Sequence, residues 1–221
     1  MSRFHRQTLE HALAANSIGP SEWPSHTVPE LLDLLRTGCK RFVSRKLSEV
    51  NIEDADLQLE RSITALIYYE IDDLLHEQGG FASYRVTHEM WEFETLDPKS
   101  NRPPQYDIAF AWKGNEHLRW PCEAKVLRTD KNVAPYLSDI TESYLKCIYA
   151  PYSNSGAMLG LLIQGEPNGA LNLIAEKLGS TSKTSASYTR SSMMQTDHVR
   201  QVPKGKSYPK AFSLHHLMLR L

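Results

Sequence analysis

The stretch that most constrains this chain is residues 105–126, QYDIAFAWKGNEHLRWPCEAKV. Two alternating runs are joined by a polar turn at Gly114. Strand side chains repeat every two residues. Tyr106, Ile108, Phe110 and Trp112 therefore share one side of the first run, and Asp107 takes the other with Ala109 and Ala111. On the second run Leu118, Trp120, Cys122, Ala124 and Val126 line one side, and Glu123 and Lys125 stand together opposite them. The pattern predicts a hairpin with an aspartate on one strand and a Glu-x-Lys pair on its neighbour. Charges on a half-buried sheet need partners or a metal, because desolvating an unpaired ion is costly. The pattern therefore reads as a site, with a salt-bridged network on an exposed sheet face as the bland alternative.

Helices precede the hairpin. Thr27-Val28-Pro29-Glu30 is a helix start, with a capping threonine, a first-turn proline and a glutamate three residues after the cap. Leu31, Leu32, Leu35, Cys39 and Phe42 give that helix an apolar face. A second, longer helix is predicted over residues 55–77, striped by Leu59, Ile63, Leu66, Ile67, Ile71, Leu74 and Leu75. Glu60 and Glu70 fall at or within this stripe, and a glutamate facing a core calls for a partner. A short helix is also expected over residues 6–15, and a strand over residues 81–94.

After the hairpin, residues 137–150 are expected to form a helix with Leu137, Ile140, Tyr144 and Ile148 on one face, stopped by Pro151. AMLGLLI, residues 157–163, is apolar enough for a central strand buried on both faces. Residues 167–178 form an amphipathic helix closed by Gly179. Residues 181–210 are rich in Ser and Thr and are expected to be a long mobile loop. Residues 214–221 form a last strand able to pair at an edge, with His215 and His216 on opposite faces. Pro121 removes a ladder donor and predicts a bulge or an unpaired side. The division is an N-terminal helical segment, residues 1–50, and an α/β domain, residues 51–221, with a flexible basic loop at about 180–210.

Charge is uneven. The whole chain is balanced at 25 Lys/Arg and 26 Asp/Glu. Lys183, Arg190, Arg200, Lys204, Lys206 and Lys210 nevertheless fall within one stretch whose single acid is Asp197. Such a run is either a solvated loop or a contact for a polyanion. Three cysteines without paired spacing suit a reducing compartment. No apolar run approaches a membrane span, and the first residues lack a signal-peptide core. A cytoplasmic protein without a membrane partner is expected. No phosphate-cradling glycine loop is present, so any ATPase would be a partner.

A helix bearing Glu60 and followed by Ser62-Ile63-Thr64-Ala65-Leu66, a strand with Asp107, a strand with Glu123-Ala124-Lys125, then a helix and a buried strand resemble the PD-(D/E)xK nuclease superfamily. The resemblance covers about residues 60–163. TESYLKCIYAPYSNSGAMLGLLIQG, residues 141–165, also resembles a defence-associated branch of that superfamily. One departure is that Tyr106, not proline, precedes Asp107; the prolines stand at Pro103 and Pro104. The resemblance implies a restriction-endonuclease-like core, with a mixed central sheet flanked by helices. It implies Mg²⁺-dependent hydrolysis of DNA, with Mn²⁺ able to replace Mg²⁺, in anti-phage defence.

The roles follow. Asp107, Glu123 and the backbone carbonyl of Ala124 would hold the metal, since Mg²⁺ takes oxygen ligands and keeps several waters. Lys125 would orient water or neutralise phosphate. Glu60, or else Glu70, would complete the set. The basic residues of 181–210 would touch the phosphate backbone, with salt-sensitive and sequence-independent contacts. A homodimer or a defence-system partner would strengthen the grip on a duplex. The alternatives are a non-catalytic scaffold subunit that keeps the fold, and an RNA nuclease.

Overall fold

The computed structural model describes residues 27–79, 83–95, 102–180 and 192–221. The expected helix over residues 6–15 lies outside these. Helix α1 (Thr27–Arg45) buries Leu31, Leu32, Leu35, Cys39 and Phe42. Helix α2 (Asp56–Glu77) buries Leu59, Ile63, Ile67, Ile71, Leu74 and Leu75, so the stripe seen in the sequence is the face that packs. The two helices meet where Gly38 leaves no room for a side chain: a Cβ there would run into Ile71 Cγ1. Arg128 fastens the connector between them, donating to the carbonyls of Ile52 at 2.7 Å and Asp54 at 2.5 Å and to Asp56 Oδ1 at 2.8 Å.

Six strands form one mixed sheet: β1 (Tyr84–Trp91), β2 (Gln105–Trp112), β3 (Asn115–Thr129), β4 (Ser155–Gln164), β5 (Met193–Val199) and β6 (Ala211–Arg220). Their order across the sheet is β1-β2-β3-β4-β6-β5. β1, β2 and β3 pair antiparallel. β4 lies parallel to both β3 and β6, and β5 closes the far edge antiparallel to β6. The parallel step from β3 to β4 is carried by α3 (Ala134–Asp139) and the turns after it. Helix α4 (Pro167–Leu178) is ended by Gly179 at φ 59°. The fold is therefore α/β with helices flanking a mixed sheet.

β4 shows why the sheet is covered on both sides. Ala157, Leu159 and Leu161 join α1 and α2 in one apolar cluster. Met158 and Leu162 join Tyr136, Ile140, Tyr144 and α4 in another. α1 belongs to the same core as the sheet. Among the described residues, no helix is long and apolar enough to cross a membrane.

Four sequence expectations change. The helix expected over residues 137–150 begins earlier, at Ala134, and passes into a π-helical turn over Ile140–Tyr144. Ile148 is exposed and does not extend the apolar face. The expected loop 181–210 contains β5; its residues 181–191 lie outside the described ones. β6 is an interior strand, not an edge, because β5 covers it. Pro121 sits in regular register opposite Ala109, and the irregularity falls between Ala111 and Trp112 at the hairpin turn.

Candidate functional site

The site forms where β2 and β3 part. Their ladder runs from Trp112 opposite Asn115 to Ile108 opposite Cys122. Continuing that register puts Asp107 opposite Glu123. Alternate β3 amides point to the β2 side, and past Cys122 those of Ala124 and Val126 need acceptors. Carboxylates supply them. Ala124 N–H donates to Asp107 Oδ2 at 2.7 Å, and Val126 N–H donates to Glu60 Oε1 at 3.1 Å. The Asp107 amide in turn donates to Glu123 Oε1 at 3.3 Å. Two acids thus replace a missing strand, and that substitution anchors them.

Lys125 completes the cluster. Its Nζ lies 3.1 Å from Glu60 Oε2 and 3.1 Å from Asp139 Oδ2. Asp139 is the last residue of α3, where the backbone passes into the π-helical turn. Such turns recur at functional sites. The sequence reading missed Asp139; the available signal was an acid in the first helix after the lysine strand, where the crossover passes over the strand end.

The electrostatics are those of acids short of solvent. Burial raises the Asp107 carboxyl to about 6, opposed by the Ala124 N–H and reinforced by Glu60. Burial, then Asp107 and Asp139, push Glu123 well above the usual carboxylate range. Burial pulls the Lys125 ammonium down, but Asp139 and Glu60 together outweigh it, so its pKa rises above that of a free lysine. Lys125 is therefore a fixed positive charge at neutral pH. Among the described residues, no three His, Cys, Asp or Glu side chains converge into a ready-made metal cage. Mg²⁺ does not require one: it binds through one or two carboxylates and retains water. Two adjacent carboxylates, Glu123 buried and Asp107 half-buried, are a donor set that fits such an ion.

The remaining expected residues separate. Glu60 enters the cluster, whereas Glu70 turns to α1 and pairs with Arg45 at 3.2 Å. Tyr106 is fully buried, and its hydroxyl donates to Glu92 Oε2 at 2.6 Å. Lys183 and Arg190 lie outside the described residues. Arg200 is expected from sequence to face phosphate, but it is buried. Its guanidinium donates to the carbonyls of Pro209 at 2.9 Å and Ala150 at 2.8 Å, and it stacks on Phe212 at 4.7 Å. It clamps the fold. Lys206 is committed to Glu94 at 2.7 Å. Lys204 and Lys210 are exposed.

His215 and His216 are buried, one on each face as expected. His216 Nδ1 meets the Tyr136 hydroxyl at 3.0 Å and its Nε2 meets Thr196 Oγ1 at 2.8 Å. The three cysteines are free and buried.

Comparison of the chain with protein-family models, curated proteins and solved structures found no match.

Proposed function

We propose that this chain is a Mg²⁺-dependent nuclease of restriction-endonuclease-like fold that hydrolyses phosphodiester bonds in DNA. The observation that carries this reading is the junction of β2 and β3. There Asp107 and Glu123 lie in register, and Lys125 is drawn beside them by Glu60 and Asp139. Asp107, Glu123 and the Ala124 carbonyl would hold the ion, with Glu60 behind them. When bound, the ion supplies Lewis acidity toward the phosphate and a lowered pKa for an attacking water.

The chain's own residues do the rest. Lys125 presents a permanent positive charge to the phosphate oxygens and to the charge that develops on them. It is not a proton acceptor, because Asp139 and Glu60 hold it protonated. Asp107 orders the β3 backbone through the Ala124 amide. Exposed Lys204 and Lys210 remain for backbone phosphates.

One observation favours a second reading. Lys125 already serves two carboxylates, as a purely structural network would. On that reading the chain is a non-catalytic scaffold. One experiment separates them: purified protein with duplex DNA, single-stranded DNA or RNA, in Mg²⁺ or EDTA, repeated with Asp107→Ala and Lys125→Ala. The nuclease reading expects Mg²⁺-dependent cleavage of DNA that both substitutions abolish. Cleavage that survives both would remove this site from the chemistry. A folded wild-type protein that cuts nothing supports the scaffold.

A further inference from the structure

Arg61 follows Glu60 on α2, and the two side chains go to opposite flanks of β2. Glu60 reaches β3, where its carboxylate meets the Val126 N–H and Lys125 Nζ, each at 3.1 Å. Arg61 reaches β1: its Nε lies 3.5 Å from Glu89 Oε1. β2 runs between those two strands. His88 pairs with Ile108 and Met90 with Tyr106, so Glu89 falls opposite Asp107. Neighbouring strands lie about 4.8 Å apart. Arg61 is thus anchored one strand from Asp107, on the flank away from Lys125.

The backbone of Glu89 is bent to make this pair. Its φ is 52°, a left-handed value that is unfavourable for an L-residue inside a strand. Gln105 Nε2 holds the Glu89 carbonyl at 2.9 Å. His88, one residue earlier, faces α2: its Nε2 meets Thr64 Oγ1 at 3.3 Å and its ring stacks on Tyr68. In a regular strand the next side chain takes the other face, so Glu89 would turn away from the helix. Irregularities of this kind re-aim a side chain, and here the carboxylate ends at Arg61. The pair itself adds little stability, because its side chains are 52% and 41% exposed. Strain kept for so weak a pair points to the placing of Arg61, not to holding the fold.

Arg61 also answers a shortage of positive charge. Glu60, Asp107, Glu123 and Asp139 gather round one ammonium, and two of them already share it. A DNA strand brings further negative charge to the same place. A half-exposed guanidinium on the opposite flank offers phosphate oxygens a planar fork of donors. We propose that Arg61 is a substrate-binding residue: it leaves Glu89, its resting partner, to grip a backbone phosphate of the DNA strand held at Asp107 and Glu123. The proposal rests on the nuclease reading above.

The test measures kcat, KM and melting temperature on one DNA duplex in Mg²⁺ at several salt concentrations. It compares full-length wild type, Arg61→Gln, Arg61→Lys, Glu89→Gln and the Arg61→Gln/Glu89→Gln double variant. Arg61→Gln should raise KM by about tenfold to a hundredfold, the worth of a hydrogen bond to a charged oxygen, with kcat and melting temperature nearly unchanged. It should also flatten the dependence of log KM on log salt by about one unit, because one phosphate contact is gone. Arg61→Lys keeps the charge without the fork and should recover part of the loss; no recovery counts against the contact. Glu89→Gln frees the guanidinium and should lower KM by about twofold to fivefold, and this gain should shrink in the double variant. If Arg61→Gln keeps the wild-type KM and salt slope, or loses activity only in step with its melting temperature, the contact is overturned and the nuclease reading stands. An equal gain from Glu89→Gln with and without Arg61 overturns the resting pair in the same way. If folded wild type cuts no nucleic acid, both readings fall together.

Discussion

Lys125 Nζ and Glu60 Oε2 lie 3.1 Å apart although 65 residues separate them in the chain. That contact joins α2 to the open end of the β2–β3 hairpin. It also divides one carboxylate between two tasks, since Glu60 Oε1 caps the Val126 amide. Replacing Lys125 with Met leaves Glu60 and Asp139 facing each other without a cation. Fully buried pairs broken this way lose about 3–5 kcal/mol, and exposed pairs almost nothing. Lys125 is 22% exposed at its side chain, so a loss of about 1–3 kcal/mol in urea unfolding is expected. Glu60→Gln should lose a similar amount. The double variant should lose less than the sum, because the two changes remove one shared interaction.

Asp107 sets a pH dependence whose sign follows from its burial. Its carboxyl rises from 3.8 to about 6 in the fold. A raised carboxyl contributes stability fully below the unfolded value and loses it as pH rises through the folded value. Asp107→Asn keeps an oxygen for the Ala124 amide and has nothing to ionise. Its stability relative to wild type should therefore grow between about pH 4 and pH 7, reaching about 1–3 kcal/mol in metal-free buffer. A difference between the two proteins that stays flat over this range would remove the buried-charge account of Asp107.

The hairpin was legible because period-two alternation carries over 22 residues, and α2 because its stripe repeats at helical spacing. The placement of Asp107, Glu123 and Lys125 came from that alternation alone. What failed was local pattern without tertiary context. Residues 140–148 have apolar spacing compatible with an ordinary helix, yet they form a π-helical turn and then a turn with left-handed residues. β5 reads as polar linker because an edge strand that buries mainly Met194 and Thr196 needs few apolar residues. Arg200 looked like part of a basic patch; only its carbonyl partners, on Pro209, Ala150 and Pro151, reveal it as a clamp. Choosing between Glu60 and Glu70 needed the position of α1, which takes Glu70 through Arg45.

Divalent metal should act on stability as well as on activity. A ligand that binds only the folded state adds about 2.7 kcal/mol at a hundredfold excess over its Kd. Mg²⁺ or Mn²⁺ is expected to raise the melting temperature of wild type at about pH 7.5 and to do so much less for Asp107→Ala. Binding must displace protons from Asp107 and Glu123, so the effect should fade as pH drops through about 6. Calorimetric titration at two pH values reads both statements. Equal stabilisation of wild type and Asp107→Ala would place the ion elsewhere.

His216 should govern stability in mild acid. Burial lowers its pKa to about 3, with His198 and His215 adding to the effect. His215 is lowered to about 4, again mainly by burial. A depressed histidine contributes stability that is present above its unfolded pKa, near 6.5, and is lost as pH falls toward the folded value. Each unit in that interval costs about 1.4 kcal/mol per histidine. This runs opposite to the contributions of Asp107 and Glu123, so the histidine share is read from the difference between wild type and a His216 variant. His216→Asn breaks the contacts to Tyr136 and Thr196 and should be less stable at pH 7, with a shallower dependence on acid. An unchanged slope in its unfolding free energy against pH would clear His216 of that role.

Gly38 tests the seam between α1 and α2. Alanine in place of a mid-helix glycine ordinarily gains about 1 kcal/mol of helix propensity. Here the added methyl would meet Ile71 Cγ1 with Ile71 Cδ1 and the Ile67 carbonyl close behind. Ile71 is fully buried and cannot swing into solvent. Overpacking of this kind costs about 1–3 kcal/mol and should win over propensity. Gly38→Ala should therefore lose about 1–2 kcal/mol in denaturant unfolding, and trimming the neighbour in Gly38→Ala/Ile71→Val should recover part of it. The route to the site is short: α2 carries both Ile71 and Glu60, so a shift of α2 would loosen the Glu60–Lys125 contact. Activity should fall with Gly38→Ala and return with the compensating change; a destabilised variant with full activity would show that α2 can move at Ile71 without moving Glu60.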